Sequence, residues 1–167
     1  MTSDDGEAAF RAELIELLPQ LRAFARFLAR DAVAADDLVQ ETMLRALAAW
    51  RQFAPGTNLR AWLFTIQRNL FRQGLRRPRT SDALPPEQGA PPGQEAHMAM
   101  GELDRALRHL PPAQREAILL VGAQGFSYED AAMICGTVAG TMKARVSRAR
   151  ASLARMLGRP DGMIKNA

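Results

Sequence analysis

The sequence has only one cysteine, Cys135, and two histidines among its 167 residues. A single cysteine cannot form an intramolecular disulfide, so the chain suits a reducing compartment, and we expect the thiol to pack as a small apolar group. Aromatic residues make up only 6% of the chain. Runs of β-branched residues and strand-like alternation are almost absent, whereas Ala, Leu, Arg, Glu and Gln, which favour helices, are abundant. We therefore predict an all-α fold.

Long apolar segments are also missing. No stretch approaches the roughly 20 apolar residues that span a bilayer. The chain starts with the acidic residues Asp4, Asp5 and Glu7 rather than with the basic and apolar pattern of a secretory signal. We expect a protein without a membrane span that works in the cytoplasm.

The residues that would indicate an enzyme are sparse. Asp36, Asp37 and Glu41 share one predicted helix, but His97 and His109 both lie in the other half of the chain. Carboxylates at this spacing are ordinary on exposed helices, and no nucleophile–base pair or phosphate-binding loop is apparent. We predict no catalytic residue, no metal site and no cofactor.

A proline-rich stretch divides the chain. Five of the ten prolines lie between Gly74 and Gln94, with few apolar residues among them. Such a segment neither continues a helix nor builds a core. We predict two small helical domains, residues 8–77 and 95–160, joined by a flexible linker at 78–94.

The positive charge is concentrated in two acid-free stretches. Six basic residues lie within Arg60–Arg79 and six within Lys143–Arg159, although the net charge of the chain is only +4. This pattern indicates two surfaces that contact nucleic-acid phosphates. The alternative is two solvated helix faces, which usually carry compensating acids.

Apolar spacings of three and four predict three helices in the first half. The first covers Phe10–Leu28, the second runs from about Ala34 to Trp50, and the third follows a break at Pro55, with Thr57 or Asn58 as its cap. The second helix is expected to bury Leu38, Leu44 and Leu47. The third is expected to bury Leu59, Trp62, Leu63, Ile66 and Leu70 and to expose Arg60, Phe64, Gln67, Arg68, Phe71 and Arg72.

The second half contains the pattern of a helix-turn-helix. After helices that end near His109 and Gly122, Ser127 stands three residues before Asp130 as a near capping box, and Gly136 allows a tight turn. An ordinary helical hairpin with a basic surface is the alternative. The last helix is predicted to bury Met142, Val146, Leu153 and Leu157 and to face outward with Thr141, Lys143, Ala144, Ser147, Arg148 and Arg150, a set suited to the major groove.

Five segments match a known family in order and spacing: Asp36–Thr42 (D-D-L-V-Q-E-T), Leu59–Asn69, Leu110–Pro112, Phe126–Ala132 and Gly140–Arg150. The chain resembles the extracytoplasmic-function (ECF) group of the sigma-70 family, and within it the general-stress-response branch. The resemblance implies a region 2 bundle and a region 4 helix-turn-helix. It also implies a sigma factor that binds core RNA polymerase and promoter DNA, is controlled by an anti-sigma protein, and acts in a stress response.

The resemblance assigns roles to three sets of residues. The clamp helices of the largest polymerase subunit would be bound by Asp37, Leu38, Gln40, Glu41 and Arg45. The melted minus-ten element would be held by Thr57, Asn58, Arg60, Phe64, Arg68, Asn69, Arg72 and Arg76. The duplex minus-thirty-five element would be read by Thr141, Lys143, Ala144, Arg145, Ser147, Arg148 and Arg150.

Two other functions remain to be weighed. A one-component DNA-binding regulator explains the helix-turn-helix but leaves Asp36–Thr42 without a role. A sigma-like decoy, which binds only an anti-sigma protein, usually accompanies a receiver domain for which this chain has no room, and it has no need of two basic helix faces.

Overall fold

A computed structural model describes residues 3–29, 31–54, 56–76 and 94–158. These residues form helices and turns without any β-strand, so the prediction of an all-α chain is confirmed. The chain divides into two compact units, Met1–Pro86 and Glu87–Ala167. The division lies inside the segment predicted as a linker, almost all of which is outside the described residues. The domain boundaries and the linker therefore stay predictions.

The first unit is built from α1 (Ser3–Ala29), α2 (Ala32–Ala48) and α3 (Leu59–Arg76), with one 3-10 turn at Trp50–Gln52. Side chains cap two of these helices. Asp31 accepts a hydrogen bond from the backbone N–H of Ala34 at 2.8 Å, and Asn58 accepts one from that of Ala61 at 3.0 Å. Each bond satisfies a backbone N–H that has no partner within the helix. Of the two residues predicted to cap α3, Asn58 is the one that does.

The helix α2 packs through small residues, not through the leucines that the sequence predicted. Its buried residues are Ala35, Val39, Thr42 and Ala46. The predicted Leu44 is 63% exposed, and Leu38 and Leu47 are half-buried. The hydroxyl of Thr42 donates to the backbone carbonyl of Leu38 at 2.7 Å, which satisfies this polar group within the core. A small-residue stripe lets neighbouring helices lie close together, so volume rather than hydrophobicity selects the buried face.

The helix α3 buries more than the predicted face. Leu59 and Leu63 are in the core as predicted, whereas Ile66 and Leu70 are half-buried. The residues Phe64, Gln67 and Arg68 were expected to face outward, but they are 0%, 0% and 6% exposed. The ring of Phe64 stacks on that of Phe24 at 5.0 Å, and the side-chain amide of Gln67 donates to the backbone carbonyl of Leu21 at 3.0 Å. Because α3 contacts both α1 and α2, it buries more than one stripe.

The predicted core residue Trp62 lies at the edge of this bundle. It is half-buried, and its ring centroid is 5.4 Å from that of Phe53 and 6.3 Å from that of Phe10. The three rings cover one end of the bundle, which favours a packing role for Trp62.

The second unit contains α4 (Gln94–His109), α5 (Pro112–Ile118), a π-helical turn (Leu119–Ala123), α6 (Tyr128–Cys135) and α7 (Ala139–Met156). Pro112 occupies the first position of α5, as predicted, where a missing N–H costs no helical hydrogen bond. The core is formed by apolar residues from all four helices and the π turn, and it includes Leu107, Leu110, Ile118, Leu120, Phe126, Ile134, Met142, Val146 and Leu153. In the described part of the chain, no helix has both the length and the apolar character that a bilayer crossing needs.

Candidate nucleic-acid and polymerase interfaces

The helices α6 and α7 form a helix-turn-helix, and two local features set its geometry. Ser127 caps α6 by accepting a hydrogen bond from the backbone N–H of Asp130 at 3.0 Å. Gly136 ends α6 with φ 63° and ψ 42°, a left-handed conformation that glycine adopts without strain. The N–H of the next residue, Thr137, donates to the carbonyl of Ala132 at 2.9 Å. The chain therefore turns within three residues and enters α7.

The helix α7 buries one narrow stripe and leaves a basic face outward. Its sequence from Ala139 to Met156 contains no acidic residue, and its N-terminus has no side-chain cap. The predicted buried residues Met142, Val146 and Leu153 are in the core, joined by Ala149 and Ala154, while Leu157 is half-buried. Of the residues predicted to read the minus-thirty-five element, Lys143, Ser147 and Arg148 are exposed, and Thr141, Ala144, Arg145 and Arg150 are half-buried.

The predicted minus-ten surface is smaller than the sequence suggested. Thr57, Asn58, Asn69 and Arg72 are exposed, and the Thr57 hydroxyl donates to the carbonyl of Ala54 at 2.7 Å. Phe64 is fully buried, so its ring cannot stack on a base without leaving the core. The predicted contacts of Phe64 and Arg68 with DNA are thus inconsistent with their burial. The side chain of Arg76 lies outside what the structure describes.

Arg60 is intermediate between the exposed and the buried residues of the predicted minus-ten set. It is half-buried, its Nε donates to the side-chain carbonyl of Gln20 on α1, and its guanidinium lies 5.6 Å from the ring centroid of Phe64. The guanidinium therefore links α3 to α1 through its Nε–H group.

The exposed face of α2 combines charged, polar and apolar groups. Asp37, Gln40, Glu41 and Arg45 are exposed as predicted, beside the half-buried Leu38. The Nε of Arg45 donates to Glu41 at 2.8 Å, an exposed pair one helical turn apart.

Leu44 also lies on this face, although the sequence predicted that it would be buried. The available signal is its position, four residues after Gln40 and three after Glu41. In the described ranges, no group of three His, Cys, Asp or Glu side chains could hold a metal ion.

Family models match both units. The model of Sigma-70 region 2 matches residues 14–80, and the model of Sigma-70 region 4 matches residues 100–153. The ECF RNA polymerase sigma factor EcfG of Rhodopseudomonas palustris (strain TIE-1) is 51% identical over 154 residues, which cover 89% of this chain and 85% of that protein. The chain belongs to the ECF RNA polymerase sigma factors. As a sigma factor, it binds core RNA polymerase and directs it to promoters.

Solved structures agree with this assignment. This sigma factor is 44% identical to the sigma factor RpoE from Bartonella quintana, solved in complex with the anti-sigma factor NepR. The match has a TM-score of 0.79 and covers 90% of this chain and 97% of that one. The anti-anti-sigma factor PhyR from the same organism, also solved with NepR, is 20% identical, with a TM-score of 0.58. That match covers 88% of this chain and 50% of PhyR. At 20% identity the second likeness shows the fold alone.

Proposed function

We propose that this sigma factor recognises a two-part promoter, with α7 on a duplex minus-thirty-five element and the first unit on a melted minus-ten element. The observation that carries the proposal is the outward face of α7. Lys143, Ser147 and Arg148 are exposed on one helix without acids, behind a tight turn that places the helix N-terminus at the surface. A helix of this kind fits the major groove, where Arg and Lys bind the guanine O6 and N7 atoms.

Within α7, position on the outward face separates two roles. We assign base contacts to Lys143, Ser147 and Arg148, with Thr141 and Ala144 beside them. The half-buried Arg145 and Arg150 flank this face, and we assign them to backbone phosphates, which fix the register of the helix without reading sequence.

For the minus-ten element we propose the exposed polar groups at the two ends of α3. Thr57 and Asn58 precede the helix, and Asn69 and Arg72 lie in its second half. Their amides and hydroxyl suit the edge of an unstacked base, and the guanidinium suits a phosphate. Arg60 joins this set, because its guanidinium carries further N–H donors besides the Nε–H that bonds Gln20. Phe64 and Arg68 are not part of this set, because both side chains are buried and pack within the first unit.

For the polymerase we propose the exposed face of α2, extended by Leu44. A 63% exposed leucine between acidic and amide side chains forms a mixed apolar and polar patch. Such a patch suits a partner helix, because an apolar anchor supplies affinity while the surrounding polar groups set orientation.

The promoter proposal is tested by adding the purified chain to core RNA polymerase and sequencing transcript starts from a genomic DNA library. We expect starts that share a two-part upstream element and that are lost with Arg148→Ala. Arg155→Ala is the matched control, because Arg155 is exposed in the last turn of the same helix and donates to Ser152 at 3.1 Å. Equal loss in both variants would contradict the assignment.

The docking proposal is tested by capture of core polymerase on the immobilised sigma factor. Leu44→Asp should abolish capture, since it places a charge in the apolar part of the patch. Ile15→Asp is the control, because Ile15 is 65% exposed on α1 of the same unit. Capture that survives Leu44→Asp, or that fails equally with Ile15→Asp, would count against the α2 face.

We further propose that an anti-sigma protein controls this chain and that its promoters belong to a stress response. The support is the likeness to RpoE, which was solved with the anti-sigma factor NepR. Native mass spectrometry with candidate anti-sigma proteins tests the first part of this proposal. We expect an anti-sigma protein that binds this chain to compete with core polymerase for it. We also propose that this sigma factor acts in the cytoplasm, where it works by binding, without catalytic residues or a cofactor.

The two competing functions give different results in the same assays. A one-component regulator would bind duplex DNA alone and would not bind polymerase. A decoy would bind an anti-sigma protein and yield no transcript starts.

A further inference from the structure

An aromatic ring lies beside one of the proposed base-reading residues. The ammonium nitrogen of Lys143 is 5.7 Å from the centroid of the Tyr128 ring. Tyr128 is the first residue of α6, and Lys143 lies in the second turn of α7. Within about 6 Å of an aromatic face, a cation is attracted by the electron-rich surface of the ring. The contact therefore joins the two helices of the helix-turn-helix through the side chain that faces DNA.

The position of the ring is set by its surroundings. The Ser127 cap fixes the start of α6, and Phe126, 4% exposed, anchors the residue before the cap. The ring of Tyr128 is itself half-buried. On the other side, the Gly136 turn fixes where α7 begins. The ring is thus a rigid partner, whereas Lys143 is an exposed chain of four flexible carbon–carbon bonds.

A flexible lysine loses conformational entropy when it binds a base edge, and that loss weakens binding. A ring that already holds the ammonium reduces the loss and limits the directions in which the lysine extends. The neighbours Ala144 and Ser147 are too short to restrain it. A restrained ammonium meets a particular base pair, whereas a free one also reaches nearby phosphates.

We propose that Tyr128 is a positioning residue for promoter recognition, whose ring holds the Lys143 ammonium so that it reads one base pair of the minus-thirty-five element. The inference rests on the proposed role of α7. It gives α6 a part in specificity beyond supporting α7.

The test uses the full chain with core polymerase and a promoter recovered from the genomic library, in which each minus-thirty-five base pair is varied in turn. Tyr128→Leu should weaken binding about 2- to 5-fold, the range expected for an exposed cation–π contact, and should flatten the preference at one base pair. Tyr128→Phe keeps the ring and should match the wild type. Met133→Leu, at a 57% exposed position of the same helix, is the control and should also match it.

A double-mutant cycle separates positioning from other roles. In a Lys143→Ala background, Tyr128→Leu should have no further effect, because the side chain it positions is gone. A loss that persists there, or an equal loss with Tyr128→Phe, would show a structural or direct DNA role and overturn the inference. The free protein gives a second readout, because ring-current shifts of the Lys143 side-chain protons should disappear in Tyr128→Leu.

The failures of the two proposals are distinguishable. If the wild type yields no promoter, the role of α7 fails and this inference fails with it. If the wild type yields promoters and Tyr128→Leu leaves every base preference unchanged, only the positioning role is refuted.

Discussion

Gly136 offers a direct test of the helix-turn-helix geometry. Its φ of 63° and ψ of 42° place it in the left-handed region, which costs a residue with a Cβ about 1–2 kcal/mol. A Cβ added there would meet no atom within 4 Å, so Gly136→Ala introduces backbone strain without a steric clash. We expect the variant to lower the free energy of unfolding of the second unit by about 1–2 kcal/mol.

Gly140 is the matched control for this change. It lies in the first turn of α7 without a positive φ, and a Cβ added there also meets no atom within 4 Å. Alanine favours a helix more than glycine does, so Gly140→Ala should raise the free energy of unfolding by up to about 1 kcal/mol. The same substitution at two open positions four residues apart is therefore expected to change the free energy of unfolding with opposite signs. The reason is the different backbone conformation of the two glycines.

The assay must report on the second unit alone. Both tryptophans, Trp50 and Trp62, lie in the first unit, so their fluorescence serves as an internal reference. Hydrogen exchange of peptides from α6 and α7, measured across urea concentrations, follows the second. With a slope of about 1 kcal/mol per molar urea for a small unit, Gly136→Ala should lower the midpoint by about 1–2 M. An unchanged midpoint, or an equal loss in Gly140→Ala, would refute the assigned turn conformation.

Three further predictions follow from burial and capping. Phe64→Leu should lower the urea midpoint of the first unit, read by tryptophan fluorescence, by the equivalent of about 1–1.5 kcal/mol, and should leave single-stranded DNA binding unchanged because the ring packs on Phe24. Arg145→Ala should lower the salt dependence of promoter binding by about one unit of slope with unchanged base preference. Arg148→Ala should weaken promoter binding by about 1–3 kcal/mol and also relax the preference at one base pair; binding titrations at several salt concentrations distinguish the two variants. Ser127→Ala should destabilise the second unit by about 1 kcal/mol in the exchange assay, and Ser127→Asp should restore it.

The helix-turn-helix was predictable because its signals are local. Three signals lie within a short window of sequence: the capping residue Ser127, the turn residue Gly136 and the apolar stripe that begins at Met142. Each is read from neighbouring residues alone. The outward face of α7 follows once that stripe is known, because a helix that buries a single stripe leaves the rest exposed.

The additional buried surface of α3, at Phe64, Gln67 and Arg68, was not predictable by the same means. Periodicity assigns polar residues to the surface, yet Gln67 is fully buried and donates an amide hydrogen to a carbonyl on α1. That partner, Leu21, is forty-six residues earlier in the chain. The Gln20–Arg60 contact is non-local in the same way. In α2 the error was of another kind, since a hydrophobicity ranking places Leu44 inside and Thr42 outside, whereas close helix packing selected the smaller residue.

These differences bear on how each unit contacts DNA. In α7 the residues that pack and the residues proposed to read DNA are separate, so a change on the outward face should alter binding and leave stability nearly intact. In α3 packing and DNA binding overlap. Arg60 and Arg68 belong to the acid-free basic stretch that predicts phosphate contacts, and yet they support the packing of the helix. Substituting either arginine should therefore alter stability and DNA binding together. A loss of transcription in such a variant assigns a DNA contact only after the stability of the first unit has been measured.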